Sequence, residues 1–116
     1  DATMPTTQLT FWTRDRHRGE RIPVEFLVHK QTARNADLYG LSDRGRLRPG
    51  LRADLNVIDI DNLTVAPPTA FDDLPSGGTR LIQPVRGYVA TMVKGRITRR
   101  NDSDTGERPG TLVRGI

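Results

Sequence analysis

The chain of 116 residues contains no cysteine, two histidines, two lysines, six aromatic residues and no long apolar run. Each shortage removes a class of function. Without cysteine there is no disulfide framework, no thiol nucleophile and no thiolate metal site, a composition compatible with a reducing cytoplasm. No stretch approaches the ~18 apolar residues of a membrane-spanning helix, and no signal-peptide pattern is present. Histidines His17 and His29, twelve positions apart, form neither H-x-H nor H-E-x-x-H. A catalytic zinc site needs about three protein ligands, so two unpatterned histidines do not make one. The expectation is no metal and no membrane for these residues.

What is present is charge, proline and glycine. Hydrophobic residues make up 34% of the chain and charged residues 28%, with eight prolines and eleven glycines cutting it into short elements. That argues against a helical bundle and for one domain, or part of one, with a modest core. The net charge of +4 comes almost wholly from arginine, with Lys30 and Lys94 the two lysines. Arg14, Arg16, His17, Arg18 and Arg21 form one dense basic cluster. It reads as a solvated helix end, where cations offset the helix dipole, and no nucleic-acid motif accompanies it. A stand-alone binding module gripping an acidic partner through Arg14–Arg21 is the alternative.

The first third reads as α. A helix over 6–18 is capped by Thr6 or Thr7, turns Leu9, Phe11 and Trp12 toward a partner and is broken at Gly19. Pro23 at the first helical position opens a second helix, with Val24, Leu27, Val28 and Gln31 along one stripe. Thr32 caps a further turn over 33–39, and Gly40 supplies the left-handed residue that ends it. The remainder reads as β. Pro49-Gly50 is a type II turn. Residues 53–60 form a strand with Leu55 and Val57 on one face and Asn56 and Ile58 on the other. Residues 61–84, with Pro67-Pro68, Pro75, Gly77-Gly78 and Pro84, read as a long surface connection holding at most one short strand at 63–65. Tyr88–Val93, Lys94-Gly95 and Arg96–Arg99 read as a hairpin, apolar on both faces of its first strand and therefore covered on both. Residues 101–110 are a polar loop, and Leu112-Val113 a last short strand.

No complete active site emerges. Asp59 with Asp61 and the pair Asp72-Asp73 come without a partner at a spacing that supports general acid/base chemistry. Gly77-Gly78-Thr79-Arg80 lacks the P-loop pattern. His29 reads as a packed or capping side chain. No catalytic, cofactor-binding or metal-binding residue is assigned.

One ordered series is nevertheless distinctive: Val28-His29-Lys30-Gln31-Thr32, Ala36, Gly40-Leu41-Ser42-Asp43-Arg44-Gly45-Arg46-Leu47, Pro49-Gly50, Ala53-Asp54-Leu55 and Asp59. It resembles the C-terminal region of the amidohydrolase superfamily. Gly87 to Arg96 is similar to the closing hairpin of that superfamily, with Lys94 where asparagine is usual. Asp43-Arg44-Gly45, Asp73-Leu74-Pro75, Gly106-Glu107-Arg108-Pro109-Gly110 and Arg114-Gly115 resemble the N-acyl-D-amino-acid deacylase (D-aminoacylase) branch. The resemblance implies an α+β, mainly β piece: the C-terminal part of the composite β-sandwich domain of a metal-dependent hydrolase, preceded by the last helices of a (β/α)8 TIM barrel. On that reading residues 1–44 are the barrel helices and residues 45–116 the C-terminal share of the β domain. It further implies a cytoplasmic zinc enzyme hydrolysing the N-acyl amide bond of N-acyl-D-amino acids. Its metal ligands lie upstream, so none carries over, and these residues have a structural role. Pro49 and Gly50 set the turn into the sheet, Asp54 caps or pairs with backbone at the strand entry, and Gly95 closes the hairpin. The partners implied are the rest of the longer chain and a second copy covering unpaired edges. A scaffolding relative lacking the barrel is a third reading.

Overall fold

The computed structural model describes residues 2–114, which leaves Gly115 of the closing resemblance outside the described residues. Helix α1 spans Met4–Thr7 and continues directly into a π-helical segment, Gln8–Asp15. The helix predicted over 6–18 thus starts earlier and ends earlier, with Arg16 already extended. Thr6 and Thr7 are not caps: both lie inside the helical run, and Thr6 is buried. The widened turns have a local cause. The Thr10 and Thr13 hydroxyls donate to the Thr7 and Leu9 carbonyls, competing with the amides that would otherwise close α-helical rings.

Helix α2 is Val24–Gln31, with Pro23 just outside it in extended conformation rather than in its first turn. Leu27 is the buried member of the expected stripe, whereas Val28 is exposed. Helix α3 is Ala33–Leu38 and buries Ala33 and Ala36. Thr32 does not cap it, because its hydroxyl donates back to the Val28 carbonyl. The end of α3 is as predicted. Gly40 has φ +67, its N–H donates to Asp37 O, and Leu41 N–H donates to Ala36 O, the paired bonds of a Schellman motif.

The β part consists of β1 (Leu55–Ile58), β2 (Thr64–Val65), β3 (Thr69–Phe71), β4 (Arg80–Ile82), β5 (Val85–Arg86), β6 (Tyr88–Val93), β7 (Arg96–Arg100) and β8 (Ser103–Asp104). Strands β1, β6, β7 and β8 form one antiparallel sheet in that order, while β2 pairs with β5 and β3 with β4. The Pro/Gly-rich connection therefore holds three short strands instead of one. The β3–β4 hairpin escaped the sequence reading because its strands are three residues long, too short for any alternation to register. The register of β1 runs unbroken from Leu55 to Val57, so those two share a face as predicted although Val57 is exposed, and a bulge between Val57 and Ile58 takes the half-buried Ile58 out of the alternation. Two further expectations fail. Val89 is 43% exposed, so the second face of β6 is covered only in part, and Leu112-Val113 forms no strand. Residues Ser103 and Asp104 of the predicted polar loop extend the sheet instead.

The hairpin turn matches its prediction. Lys94 at φ +56 and Gly95 at φ +74 make the two positive-φ residues of a type I′ turn, and Gly95 N–H reaches back to Ala53 O. A second such turn, Asn101 at φ +47 and Asp102 at φ +64, joins β7 to β8. The apolar core is small and divided. Among the described residues, Leu27, Ala33 and Ala36 are buried in the helical part and Leu63 and Ala90 in the β part. Leu63, with 0% exposure, packs on Gly87, where φ is +113 and an added Cβ would lie 2.7 Å from the Leu63 Cα. Replacing Gly87 by alanine combines a strained φ with a backbone clash. Gly87→Ala is expected to destabilise the chain by about 2 kcal/mol or more, read as a lower urea midpoint at unchanged slope.

Candidate functional site

The residues with catalytic potential in the sequence are dispersed in space and tied up in turns. His17, in the loop after the π-helical segment, and His29, on α2, are both exposed. Among the described residues no group of three or more His, Cys, Asp or Glu side chains stands close enough to hold a metal ion. Asp59 accepts the Asn62 amide side chain at 2.8 Å and the Asn62 backbone N–H at 3.3 Å. Those bonds hold its carboxyl below the usual carboxylate range. Asp61 adds its backbone N–H to that arrangement and not its carboxylate. Asp72 accepts the Thr79 hydroxyl, and Asp73 forms a two-bonded pair with Arg80, both oxygen–nitrogen distances 2.6 Å. The Gly77-Gly78-Thr79-Arg80 stretch is the far side of the β3–β4 hairpin, and its side chains hold that hairpin shut.

The residues assigned fold roles do what the sequence suggested. Gly50 has φ +85 and Leu51 N–H donates to Arg48 O, closing the Pro49-Gly50 turn. Asp54 accepts the Lys94 N–H at 2.8 Å, so one carboxylate joins the entry of β1 to the tip of the β6–β7 hairpin. Its other neighbours are Arg52 at 2.9 Å and Arg44 at 3.6 Å. Burial pushes the Asp54 carboxyl up, but the Lys94 amide and the two guanidinium groups outweigh it, and the net position is below the ordinary value.

The structure adds a feature that sequence reasoning missed: a polar seam where the first helical run meets the β part. Arg14, the last basic residue of the π-helical segment, uses all five of its N–H donors. Its Nη1 donates to the carbonyls of Ile60 at 2.6 Å and Asp61 at 3.1 Å, and its Nη2 to that of Leu63 at 2.9 Å. Nε and Nη2 also hold Asp15 at 2.6 and 2.9 Å. The Thr6 hydroxyl lies 2.7 Å from the Tyr88 hydroxyl, and Thr3 is bonded to Gln83. Behind the seam the Asp102 carboxylate accepts the N–H groups of Gly87 at 3.0 Å and Tyr88 at 2.9 Å, fixing the kink before β6. Arg14 was hidden inside a charge run, and nothing in the spacing of Asp102 marks it as a carboxylate that binds backbone.

Three of the four arginines of the basic cluster, Arg14, Arg16 and Arg21, make side-chain contacts within the chain. Arg16 donates to the Arg18 and Glu20 carbonyls and stacks 4.8 Å above the Trp12 ring, and Arg21 Nε donates to Arg16 O. Phe11 stands edge-on to Trp12 at 5.3 Å. A shallow cleft of about 370 Å³ runs beside Arg14, lined also by Arg21, Ile22 and Ile60.

Comparison with known proteins supplies the family. The sequence profile of the amidohydrolase family matches residues 3–99. The N-acyl-D-aspartate deacylase of Alcaligenes xylosoxydans xylosoxydans is 36% identical over 92 residues, which is 79% of this chain and 17% of that relative. The chain therefore spans about a sixth of the length of the curated relative it resembles. No solved structure matches it.

The Asp54 bonds carry a pH dependence with a definite sign. A carboxyl lowered by folding stabilises above its unfolded value, near pH 4, and that contribution disappears as pH falls through the folded value. Asp54→Asn is expected to lose about 1–2 kcal/mol at neutral pH. The gap between wild type and variant should close as urea melts are repeated from pH 6 down to below pH 4.

Proposed function

The chain belongs to the amidohydrolase family, and from that premise we propose that it is the C-terminal part of a longer zinc-dependent amidohydrolase that cleaves the N-acyl amide bond of N-acyl-D-amino acids. The observation that carries this reading is the 36% identity to an N-acyl-D-aspartate deacylase across 79% of the chain. The D-aminoacylase motifs Asp43-Arg44-Gly45 and Gly106-Glu107-Arg108-Pro109-Gly110 support it. Cytoplasmic location goes with the lack of cysteine.

The described residues do not fit a zinc site. The metal and the catalytic groups are assigned to the longer chain, and no step of the hydrolysis runs through the residues described. Their role is structural. Residues 1–44 are the last barrel helices, and residues 45–116 are one share of a composite β domain completed by strands from elsewhere in the longer chain.

The surface of the chain supports such incompleteness. Its accessible area is 8834 Å², whereas a free-standing protein of this mass exposes about 6,300 Å². The radius of gyration is 16.0 Å, against about 13.4 Å for a compact domain of this length. The excess, about 2,500 Å², is the scale of an obligate interface. Exposed Phe11, Phe26, Leu38, Tyr39, Leu81 and Val89 supply its apolar component.

The reading is tested on the longest natural chain that contains these residues. Purified, it should carry zinc and release free amino acid from N-acyl-D-amino acids but not from the L-forms. Zinc-free protein, or equal inactivity on both series, would overturn the assignment. The 116 residues alone should cover their exposed faces with a second copy. Light scattering at high micromolar concentration should report a dimer or larger, and a well-folded monomer would count against the incomplete-surface argument.

A further inference from the structure

The first helical run is turned inside out. Its most deeply buried side chains are Thr6 and Thr10, 4% and 7% exposed, whereas Met4, Phe11 and Trp12 face outward. A helix held to a sheet by the hydrophobic effect does the reverse. Side-chain hydrogen bonds tie this run to the rest of the chain: Thr3 to Gln83, Thr6 to Tyr88, Gln8 to Gln31 at 2.6 Å, and Arg14 to the carbonyls of Ile60, Asp61 and Leu63. The Ile22 N–H donates to Trp12 O, so the basic loop folds back on the run that precedes it. The open cleft beside Arg14 brings water to the edge of the seam. The β part, by contrast, has its own apolar contact in Leu63 on Gly87 and its own carboxylate clamp in Asp102.

We infer that residues 2–22 form a strap latched to the β part by the Arg14 guanidinium, able to detach while the β1–β6–β7–β8 sheet stays folded. Three carbonyls converge on one guanidinium, so a single side chain supplies the strongest link in the seam. Lysine, a point charge with a shorter donor span, reaches fewer of them. Opening the latch exposes hydrogen-bonding groups that water satisfies readily, which makes local release cheaper than global unfolding. The function of such a strap is conformational. It lets the helical part, with its outward Phe11 and Trp12, shift against the sheet as the rest of the chain is bound.

Hydrogen exchange read by mass spectrometry on the full chain tests this without reference to any hydrolase activity. In Arg14→Ala the amides of residues 4–15 should exchange at least about tenfold faster, given the strength of hydrogen bonds to a charged group. Those of Tyr88–Arg100 should be unchanged. Arg14→Lys should fall between wild type and Arg14→Ala, and guanidinium chloride at a non-denaturing concentration should slow strap exchange in Arg14→Ala where urea does not. Equal acceleration of strap and sheet, a sheet lost in both variants, or a strap indifferent to both would overturn the inference.

Discussion

Everything in this structure is governed by a shortage of burial. Folding must offset a conformational entropy of order 1–2 kcal/mol per residue, chiefly by removing apolar surface from water. This chain removes little. Five apolar side chains are buried among the described residues, three of them alanines. They lie in two places rather than one, and the accessible surface exceeds that of a free globule by about 2,500 Å². Short strands, open sheet edges and outward aromatics are consequences of the same shortage. The proposed function, resting on the family match and on a relative of which this chain spans a sixth, reads that shortage as an interface whose other side lies in a longer chain.

Where apolar burial is thin, hydrogen bonds and turn geometry fix the arrangement. Asp54 joins the hairpin tip to the strand entry, Asp102 pins the two amides before β6, and Arg14 draws three carbonyls onto the end of the first helical run. Each uses a charged side chain to hold backbone, a pairing stronger than a neutral bond and more exacting in geometry. Gly87 and Gly45 allow the close approaches between elements. At Gly45 an added Cβ would fall 2.6 Å from that of Ala36, which brings the Schellman end of α3 and the following loop together. Thus the segment that carries the densest family resemblance, from Thr32 to Asp54, is the one where small residues and turns set the path of the chain.

Local chemistry was legible in the sequence and long-range chemistry was not. Gly40, Pro49-Gly50 and Lys94-Gly95 were readable because a positive φ leaves a mark on residue type. The β6–β7 hairpin was readable because six and five residues suffice for a strand signal. In β1 the alternation holds from Leu55 to Val57 and fails at Ile58, beyond a bulge that no periodicity can anticipate. The β3–β4 hairpin lay below the length at which alternation is visible, and Pro67-Pro68 and Gly77-Gly78 then argued for a loop. An apolar residue in a strand predicts cover at Val89, yet among the described residues it is exposed. Of the seam, Arg14 was read as part of a solvated charge run and Thr6 as a cap, because partners such as Leu63 and Tyr88 lie 49 and 82 positions away. The motif resemblance succeeded where residue chemistry alone found no site, since it draws on order and spacing across the whole chain.

The proposed function makes these residues one face of a larger hydrolase. The measurement that tests it most directly is the intact mass of the protein carrying this sequence, isolated from the organism that makes it. The account requires a mass several times 13.0 kDa, with these residues at or near the C-terminal end. A product of about 13.0 kDa, monomeric and folded, would contradict it. The excess surface would then belong to a free protein and call for a separate partner.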